Sequence, residues 1–229
     1  MKTFPTTRRA GGHDYDRIAV QTHLIHIKEA LDPVLDEYVK PVLAPGDWLA
    51  VSEKFVTISQ GRVIHHSVVK PGVLAKLLVK GVTKHPDDVG YSDPRKMQVA
   101  IMQAGWWRML FAMIVGSFTR LVLRRRGDFY RIAGHRISEI DGFSPATVKP
   151  FDEFAMLGPA DPDAAAAEIS RHLAGVPVAI VDANNINVEV LGTSAGFPVD
   201  RKVVREVLLD NPLGQNDELT PIIVVRRTT

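Results

Sequence analysis

The segment that most constrains the fold is a helix pattern that runs directly into a buried strand in the last third of the chain. In GPADPDAAAAEISRHLAG, Asp161 suits the residue before a helix, Pro162 its first position, and Gly175 the left-handed residue that ends it. VPVAIV follows at once and reads as a short buried strand. A second helix after Asp200 and a final strand, TPIIVVRR, continue the alternation. This part of the chain therefore mixes helices with a sheet.

The first third carries further strand and helix signals. RIAVQTHLIHI (17–27) alternates apolar and polar residues, which is typical of a half-buried strand. Asp32 and Pro33 are suited to start a short helix after it. The segment WLAVSEKFVTISQGRVI, which follows the turn at residues 45–47, is predicted to form two strands joined by a bulge or turn at residues 59–62.

The middle of the chain changes to a helical pattern. Asp93 and Pro94 open a segment with helically spaced apolar residues, and we expect a helical subdomain or insertion around residues 70–126. Residues 1–16 are polar and are predicted to be a tail, which leaves residues 17–229 as a single domain. The chain as a whole is predicted to have an α+β fold that is rich in sheet.

Composition excludes several classes of protein. The 229 residues are 45% hydrophobic and 24% charged, which is ordinary for a folded domain, and the net charge of +2 argues for neither nucleic acid nor membrane partners. The absence of cysteine excludes disulfides, thiolate chemistry and cysteine-bound metals, and it permits a reducing compartment. Since the N-terminus has no apolar core of a signal peptide, a cytoplasmic protein is expected.

The most apolar run, Met109–Thr119, is too short to cross a bilayer. Its eleven residues compare with the roughly 20 that a spanning helix needs, so a buried helix is expected. A helix lying on a membrane surface is a second interpretation, because Trp106 and Trp107 precede the run and Arg124–Arg126 follow it. The arginines of this part of the sequence could face an anion or simply be solvated; they are Arg120, Arg124, Arg125, Arg126, Arg131 and Arg136.

The chain lacks the familiar nucleotide and hydrolase motifs, including GxxxxGK[ST], GxGxxG, HExxH and GxSxG. Carboxylates bridged by a metal ion, together with arginines, would therefore have to hold any phosphate. Asp141 in EIDG and Asp182 in VDANN each follow an apolar residue and precede a small one, so each could leave a strand and bind Mg²⁺ or Mn²⁺, with Asn184 adding a carbonyl oxygen. The alternative is that these side chains only bond backbone amides in their own turns.

Histidines and amides offer weaker candidates. His65 and His66 are adjacent on a segment predicted to be extended, so they should point to opposite faces and not share an ion. His135 could donate a proton or contact a phosphate, or simply be packed. In DNPLGQ, Asn211 and Gln215 could line a pocket, or the segment could merely end a helix, with Gly214 at positive φ.

Four segments, in this order and spacing, resemble the coenzyme F420 γ-glutamyl ligase family: PGDWLAVSEKFVTISQGRVI, RIAGHRISEIDG, LGPADPDAAAAEISRHLAGVPVAIVDANN and DNPLGQNDELTPIIVVRR. The resemblance covers about residues 17–227 and is weakest over residues 70–126. It implies a dimeric α+β ligase that uses GTP and a divalent metal, Mg²⁺ or Mn²⁺, to add L-glutamate to a deazaflavin-type acceptor through an acyl phosphate. Metal and cationic side chains would stabilise the transferring phosphoryl group.

The resemblance also implies site residues. Asp141 and Asp182 correspond to the aspartates of the family's Ala-Gly-Ile-Asp and Thr-Asp-Thr-Asn motifs and would bind the metal, although HRISE here separates Ala133-Gly134 from Ile140-Asp141. The remaining site residues would contact the phosphates or line the site; they are Lys54, Gly61, Arg62, His135, Asn184, Asn211 and Gln215.

One departure from the family pattern motivates a second hypothesis. The family's Ser-Lys-Ala-Glu-Gly-Arg reads Thr57-Ile58-Ser59-Gln60-Gly61-Arg62, so a lysine and a carboxylate are replaced. The alternative to a ligase is therefore a catalytically inactive ligand-binding or regulatory protein that keeps the fold.

Overall fold

Asp161 and Pro162 start a helix where the sequence predicts one. The Asp161 carboxylate accepts a hydrogen bond from the Ala164 N–H at 3.0 Å, and Gly175, at φ +90°, donates its N–H to the Ser170 carbonyl after the helix ends. The computed structural model describes residues 6–80, 93–122, 124, 128–134, 140–143, 147–184, 187–214 and 218–228.

The chain folds into two compact units. The sheet unit comprises residues 1–62 and 159–229, and the helical unit comprises residues 63–158. The prediction of an α+β fold rich in sheet is confirmed, since each unit combines helices with strands.

The sheet unit is built on a six-stranded mixed sheet with the order β1-β2-β9-β3-β7-β8. Strands β3 and β7 are parallel, and all other neighbours are antiparallel. The strands are β1 (Thr7–Ala10), β2 (His13–Val20), β3 (Trp48–Ser52), β7 (Val178–Ala183), β8 (Val188–Thr193) and β9 (Ile222–Thr228). The helices are α1 (Leu31–Val34, continued by π and 3₁₀ turns to Val42), α2 (Glu53–Ser59), α7 (Pro162–His172) and α8 (Arg201–Leu208).

Both faces of the central strands are buried. One set of alternate residues forms a core with α8, and its members include Trp48, Ala50, Ala179 and Val181. The residues between them, such as Leu49 and Ile180, point to the opposite face and are also fully buried. Helices α2 and α7 pack on strands of the same central region.

The helical unit packs its helices on a short three-stranded sheet of order β4-β6-β5. Its core includes Leu78, Met97, Met109, Ile140 and Ala155. The prediction of helices over residues 70–126 is confirmed for the described residues, and Asp93 accepts a hydrogen bond from the Arg95 N–H at the start of α4. The elements are β4 (Val63–His65), α3 (Val73–Lys80), α4 (Pro94–Ala104), α5 (Trp106–Leu121), α6 (Asp128–Ala133), β5 (Asp141–Gly142) and β6 (Phe154–Met156).

The described residues contain no single helix with the length and apolar content needed to cross a bilayer. Helices α4 and α5 meet that description only as a pair, and the chain bends by 111° between them.

The prediction of two strands in WLAVSEKFVTISQGRVI is wrong for its middle part. Strand β3 ends at Ser52, whose N–H makes the last bond of the ladder, to the Pro221 carbonyl at 2.8 Å. Proline has no N–H to extend that ladder, and the chain continues as α2, which buries Phe55, Val56 and Ile58. Tertiary packing thus overrides the β propensity of this segment.

The ends of the first predicted elements also differ. Residues 7–16, which the sequence presents as part of a polar tail, contribute β1 and the first half of β2. Helix α1 begins at Leu31 after Ala30, so Asp32 lies in its first turn and is not its cap. Strand β8 has no counterpart in the sequence-based prediction, although Val188 and Val190 alternate with the exposed Glu189 in the manner of a half-buried strand.

Candidate functional site

The parallel pairing of β3 and β7 brings candidate residues of the sheet unit to one edge of the sheet. Ser52 lies opposite Val181 in this pair, so the chain leaves both strands at the same end. Strand β2 also ends there, because Val20 is paired with Ile222 at the start of β9. We call this region the strand-end edge, and it comprises residues 21–29, 53–62, 182–184 and 218–221.

Lys54 lies at the strand-end edge because α2 follows β3 without a loop. It is half-buried in the first turn of the helix, beside the buried Glu53. The register places this turn next to the end of β7, where Asp182 lies. A cation and a carboxylate from distant parts of the sequence therefore meet at the same end of neighbouring strands.

The turn after α2 holds Gly61 and Arg62 in a fixed position. The Gly61 N–H bonds the Ile58 carbonyl at 2.9 Å, the Arg62 N–H bonds the Thr57 carbonyl at 3.0 Å, and the Lys28 N–H bonds the same Ile58 carbonyl at 3.1 Å. Gly61 has φ +66°, and a Cβ there would lie 2.6 Å from Lys28 Cγ. A larger residue would be strained there, and Lys28 joins Lys54 and Arg62 as a third cationic side chain of this edge.

Asp182 has a second carboxylate directly across the hairpin. In the β7–β8 pair it lies opposite Glu189, while the flanking residues Val181 and Val190 point into the core with α8. The two carboxylates therefore share the other face of the hairpin. Like charges directly opposite each other destabilise a sheet, and a cation bound between them would relieve this repulsion. Glu189 is absent from the sequence-based candidates.

Asn184 closes the turn between β7 and β8. Its side-chain carbonyl accepts the Asn187 N–H at 2.9 Å, and its own N–H bonds the Asn187 carbonyl at 3.0 Å. This is the turn role that the sequence allows as the alternative. Carboxylate and amide oxygens fit Mg²⁺ or Mn²⁺.

A histidine–carboxylate network lies on the loop after β2. His23 Nε2 is 2.7 Å from Glu29 Oε1, and Glu29 Oε2 accepts the His26 N–H at 2.6 Å. Burial alone would raise the pKa of Glu29, but the His26 N–H and the His23 ring hold its pKa below the usual value. These bonds order the loop that carries Lys28, and the Lys28 N–H joins it to the Ile58 carbonyl of α2.

Asn211 makes hydrogen bonds within its own turn. It is fully buried at φ +51°, its N–H bonds the Leu208 carbonyl at 2.8 Å, and its side-chain NH₂ bonds the Gly214 carbonyl at 3.3 Å. Its Oδ1 has no hydrogen-bond partner among the described residues. The backbone shows helix termination with Gly214 at positive φ. This is the alternative that the sequence leaves open.

Asp141 belongs to the helical unit. It starts the two-residue strand β5 opposite Met156, and its Oδ1 accepts the Gly142 N–H at 2.7 Å. Gly142 has no room for a side chain, because a Cβ would lie 2.2 Å from the Phe154 carbonyl oxygen. His135 and Gln215 lie outside the described residues.

The prediction that His65 and His66 point to opposite faces is wrong. A 3₁₀ turn begins at His66, and the two rings come to 4.4 Å between centroids. With Glu153 they present three ligand atoms within 4.8 Å of one another. His65 already bonds Ser67 Oγ at 2.6 Å and Glu153 at 3.1 Å, and these bonds account for the cluster as a hydrogen-bonded network.

A protein-family comparison covers most of the chain. A sequence model described as F420-0:Gamma-glutamyl ligase matches residues 19–193. This range contains most of the strand-end edge and the whole helical unit. No curated protein matches the chain.

Proposed function

Since this chain belongs to the F420-0:gamma-glutamyl ligase family, we propose that it adds L-glutamate to a deazaflavin coenzyme or a related carboxylate acceptor, with GTP as co-substrate. The acceptor carboxylate attacks the γ-phosphorus of GTP, so that an acyl phosphate forms and GDP leaves. The glutamate amine then attacks the acyl carbon, loses a proton and displaces inorganic phosphate. We further propose that the enzyme works in the cytoplasm as a homodimer.

Three cationic side chains are proposed to bind the phosphates. Lys54 lies in the first turn of α2, Arg62 follows the C-terminal end of the helix, and Lys28 lies against the Gly61 turn. Cations held in place before the reaction stabilise charge on a transferring phosphoryl group without reorganisation cost. Asn211 and Gln215 are proposed to line the site from the segment before β9.

Asp182 is proposed as the metal ligand of the sheet unit, with Asn184 beside it. A divalent ion bound there would neutralise charge on the phosphate oxygens. The proposal rests on the parallel register of Ser52 and Val181, which sets Lys54 and Asp182 at neighbouring strand ends. Asp141 remains a prediction from the family pattern, as a metal ligand. His135 remains a prediction from its own sequence context, as a proton donor or a phosphate contact.

An inactive ligand-binding protein is the second candidate. Gln60 stands where the family pattern has a carboxylate, and its Oε1 accepts the Ala160 N–H at 2.8 Å. The neutral Gln60 amide bonds the Ala160 backbone and supplies no negative charge where the family pattern has a carboxylate. This candidate predicts nucleotide binding without turnover.

Calorimetry with GTP or ATP and Mn²⁺ tests the proposal on the wild type, Asp182→Asn and Asp141→Asn. Asp14→Asn is the control, since Asp14 lies at the far end of β2, opposite Thr228. We expect metal-dependent binding of GTP by the wild type and the control, and its loss in Asp182→Asn. Absence of nucleotide binding by the wild type would refute the ligase proposal.

A turnover assay separates the two candidates. It follows GDP release with L-glutamate and a deazaflavin acceptor present. Release that needs both substrates supports the ligase, whereas binding without release supports the inactive protein.

A further inference from the structure

Helix α5 exposes a continuous apolar stripe. Trp107, Phe111, Ile114, Phe118 and Val122 follow one another at intervals of three or four residues, which places them on one face of the helix and its last turn. Their exposed fractions lie between 57% and 68%. Isolated exposed apolar residues are common, but a contiguous row of large ones marks a surface that binds something.

The opposite face of α5 explains why this stripe is not core. Met109 and Ala112 are fully buried in the core of the helical unit. The helix is therefore apolar on both faces, but only one face packs against the core of the helical unit. A soluble helix would carry polar residues on its outer face.

The charge around the stripe identifies the partner surface. From Met97 to Gly127 the sequence has five arginines, at 108, 120, 124, 125 and 126, and no aspartate or glutamate. Arg124 lies beyond the C-terminal end of α5 and is exposed. An apolar stripe with arginines and without carboxylates is complementary to an anionic lipid surface, where acyl chains lie beneath negative headgroups.

The residues at the two ends of α5 indicate the orientation of the helix on a membrane surface. The rings of Trp106 and Trp107 are stacked at its N-terminal end, with 3.8 Å between their centroids. Arginines follow its C-terminal end. Tryptophan and arginine both favour the headgroup region. With both ends at that depth, the helix lies parallel to the membrane plane. Its 16 residues span about 24 Å, shorter than the hydrocarbon core of about 30 Å.

We propose that α5 binds an anionic membrane surface through the stripe of Trp107, Phe111, Ile114, Phe118 and Val122. This inference does not depend on the proposed ligase activity. Binding is peripheral, since the buried face of α5 stays on its own core.

Flotation of the full-length protein with lipid vesicles tests the proposal. One set of vesicles is phosphatidylcholine alone, and the other is equal parts phosphatidylcholine and phosphatidylglycerol. We expect binding to the anionic vesicles only, weakened more than tenfold when salt rises from about 0.1 M to about 1 M, because the Debye length falls from about 10 Å to about 3 Å. No binding at the lower salt, or equal binding to both vesicles, would overturn the proposal.

The double variant Phe111→Asp/Phe118→Asp should abolish vesicle binding, since it puts carboxylates in the stripe. Both side chains are more than half exposed, so we expect the fold to tolerate the change, which circular dichroism checks. Leu209→Asp is the matched control: Leu209 is 50% exposed, lies in the sheet unit, and should leave binding unchanged.

Tryptophan fluorescence gives an independent readout. Trp106 and Trp107 are exposed while Trp48 is buried, so vesicles should shift the emission to shorter wavelength in the wild type and not in Trp106→Phe/Trp107→Phe. The competing occupant of the stripe is a second copy of the chain. Light scattering that shows a dimer made monomeric by Phe111→Asp/Phe118→Asp, with no vesicle binding by the wild type, would assign the stripe to that dimer and refute the lipid proposal.

Discussion

Ser52 and Val181 lie opposite each other in the parallel pair β3 and β7, although 128 residues separate them in the sequence. This register sets the start of α2 beside the end of β7. Lys54 and Asp182 are thereby carried to the same end of the sheet by the two strands that precede them. The candidate site is a consequence of strand direction.

Lys54→Gln should weaken GTP binding by about 10- to 100-fold, because a hydrogen bond to a charged group contributes about 1.5–3 kcal/mol. Lys202→Gln is the control, since Lys202 is a highly exposed lysine of α8 in the same unit. Calorimetry measures both affinities, and circular dichroism verifies that both variants fold. Equal affinity of Lys54→Gln and the wild type would remove Lys54 from the phosphate site.

Gly61→Ala should destabilise the protein more than Gly46→Ala. Both glycines have positive φ, which costs an L-residue about 1–2 kcal/mol. A Cβ at Gly46 meets no atom within 4 Å, whereas one at Gly61 would lie 2.6 Å from Lys28 Cγ, and overpacking adds about 1–3 kcal/mol. Urea unfolding measures the difference between the two variants.

Lys28→Ala in the Gly61→Ala background tests the cause of that difference. Removal of the Lys28 side chain beyond Cβ opens the space that the new methyl group needs. We expect the double variant to recover most of the excess cost, as a favourable coupling in a double-mutant cycle. Strictly additive effects would show that Lys28 does not press on the turn.

Helix caps and buried strands are more predictable from the sequence than the site is. Asp93 and Asp161 cap helices as predicted, because capping is a local interaction. Helix α2 was missed because the end of its strand is set by Pro221, which is distant in the sequence. Lys28 and Glu189 belong to no sequence motif. Lys28 lies at the site because it packs against the Gly61 turn, and Glu189 because it pairs with Asp182 across the β7–β8 hairpin.

The ion pair between the buried Arg17 and the partly exposed Asp210 should make stability depend on pH in the acid range. Burial would raise the pKa of Asp210, but the bidentate hydrogen bonds from the Arg17 guanidinium hold it below its usual value. The unfolded chain, with an aspartate pKa of about 3.9, then binds protons before the folded one does. The stabilisation is fully present above about pH 5 and is lost as pH falls through the folded-state pKa. Urea unfolding of the wild type and of Asp210→Asn, measured from about pH 5 downward, gives this loss of stability. A parallel decline in the two proteins would contradict the assignment to the Arg17–Asp210 pair.

Asp210→Ala should cost about 3–5 kcal/mol, because it leaves the buried Arg17 without its carboxylate. The double variant Arg17→Met/Asp210→Leu should recover most of this loss, since an apolar pair of similar volume avoids the uncompensated charge. Urea unfolding compares the two. A double variant no more stable than Asp210→Ala would show that the cost arises from lost packing and not from the charge.

The Asp182–Glu189 pair gives the sharpest test of a metal at the hairpin. Neutralising one of two opposed carboxylates removes their repulsion, so Glu189→Gln should raise the free energy of unfolding of the metal-free protein by about 0.2–1 kcal/mol. If the pair binds a cation, the same change should weaken Mn²⁺ binding and reduce the rise in melting temperature that Mn²⁺ produces. Glu168→Gln, a change on the exposed face of α7 in the same unit, is the matched control for loss of a carboxylate and should leave both quantities unchanged. A cation site therefore predicts that Glu189→Gln raises the stability of the metal-free protein and lowers its affinity for Mn²⁺. A gain in stability with unchanged Mn²⁺ affinity would show that the two carboxylates repel each other but do not bind the metal.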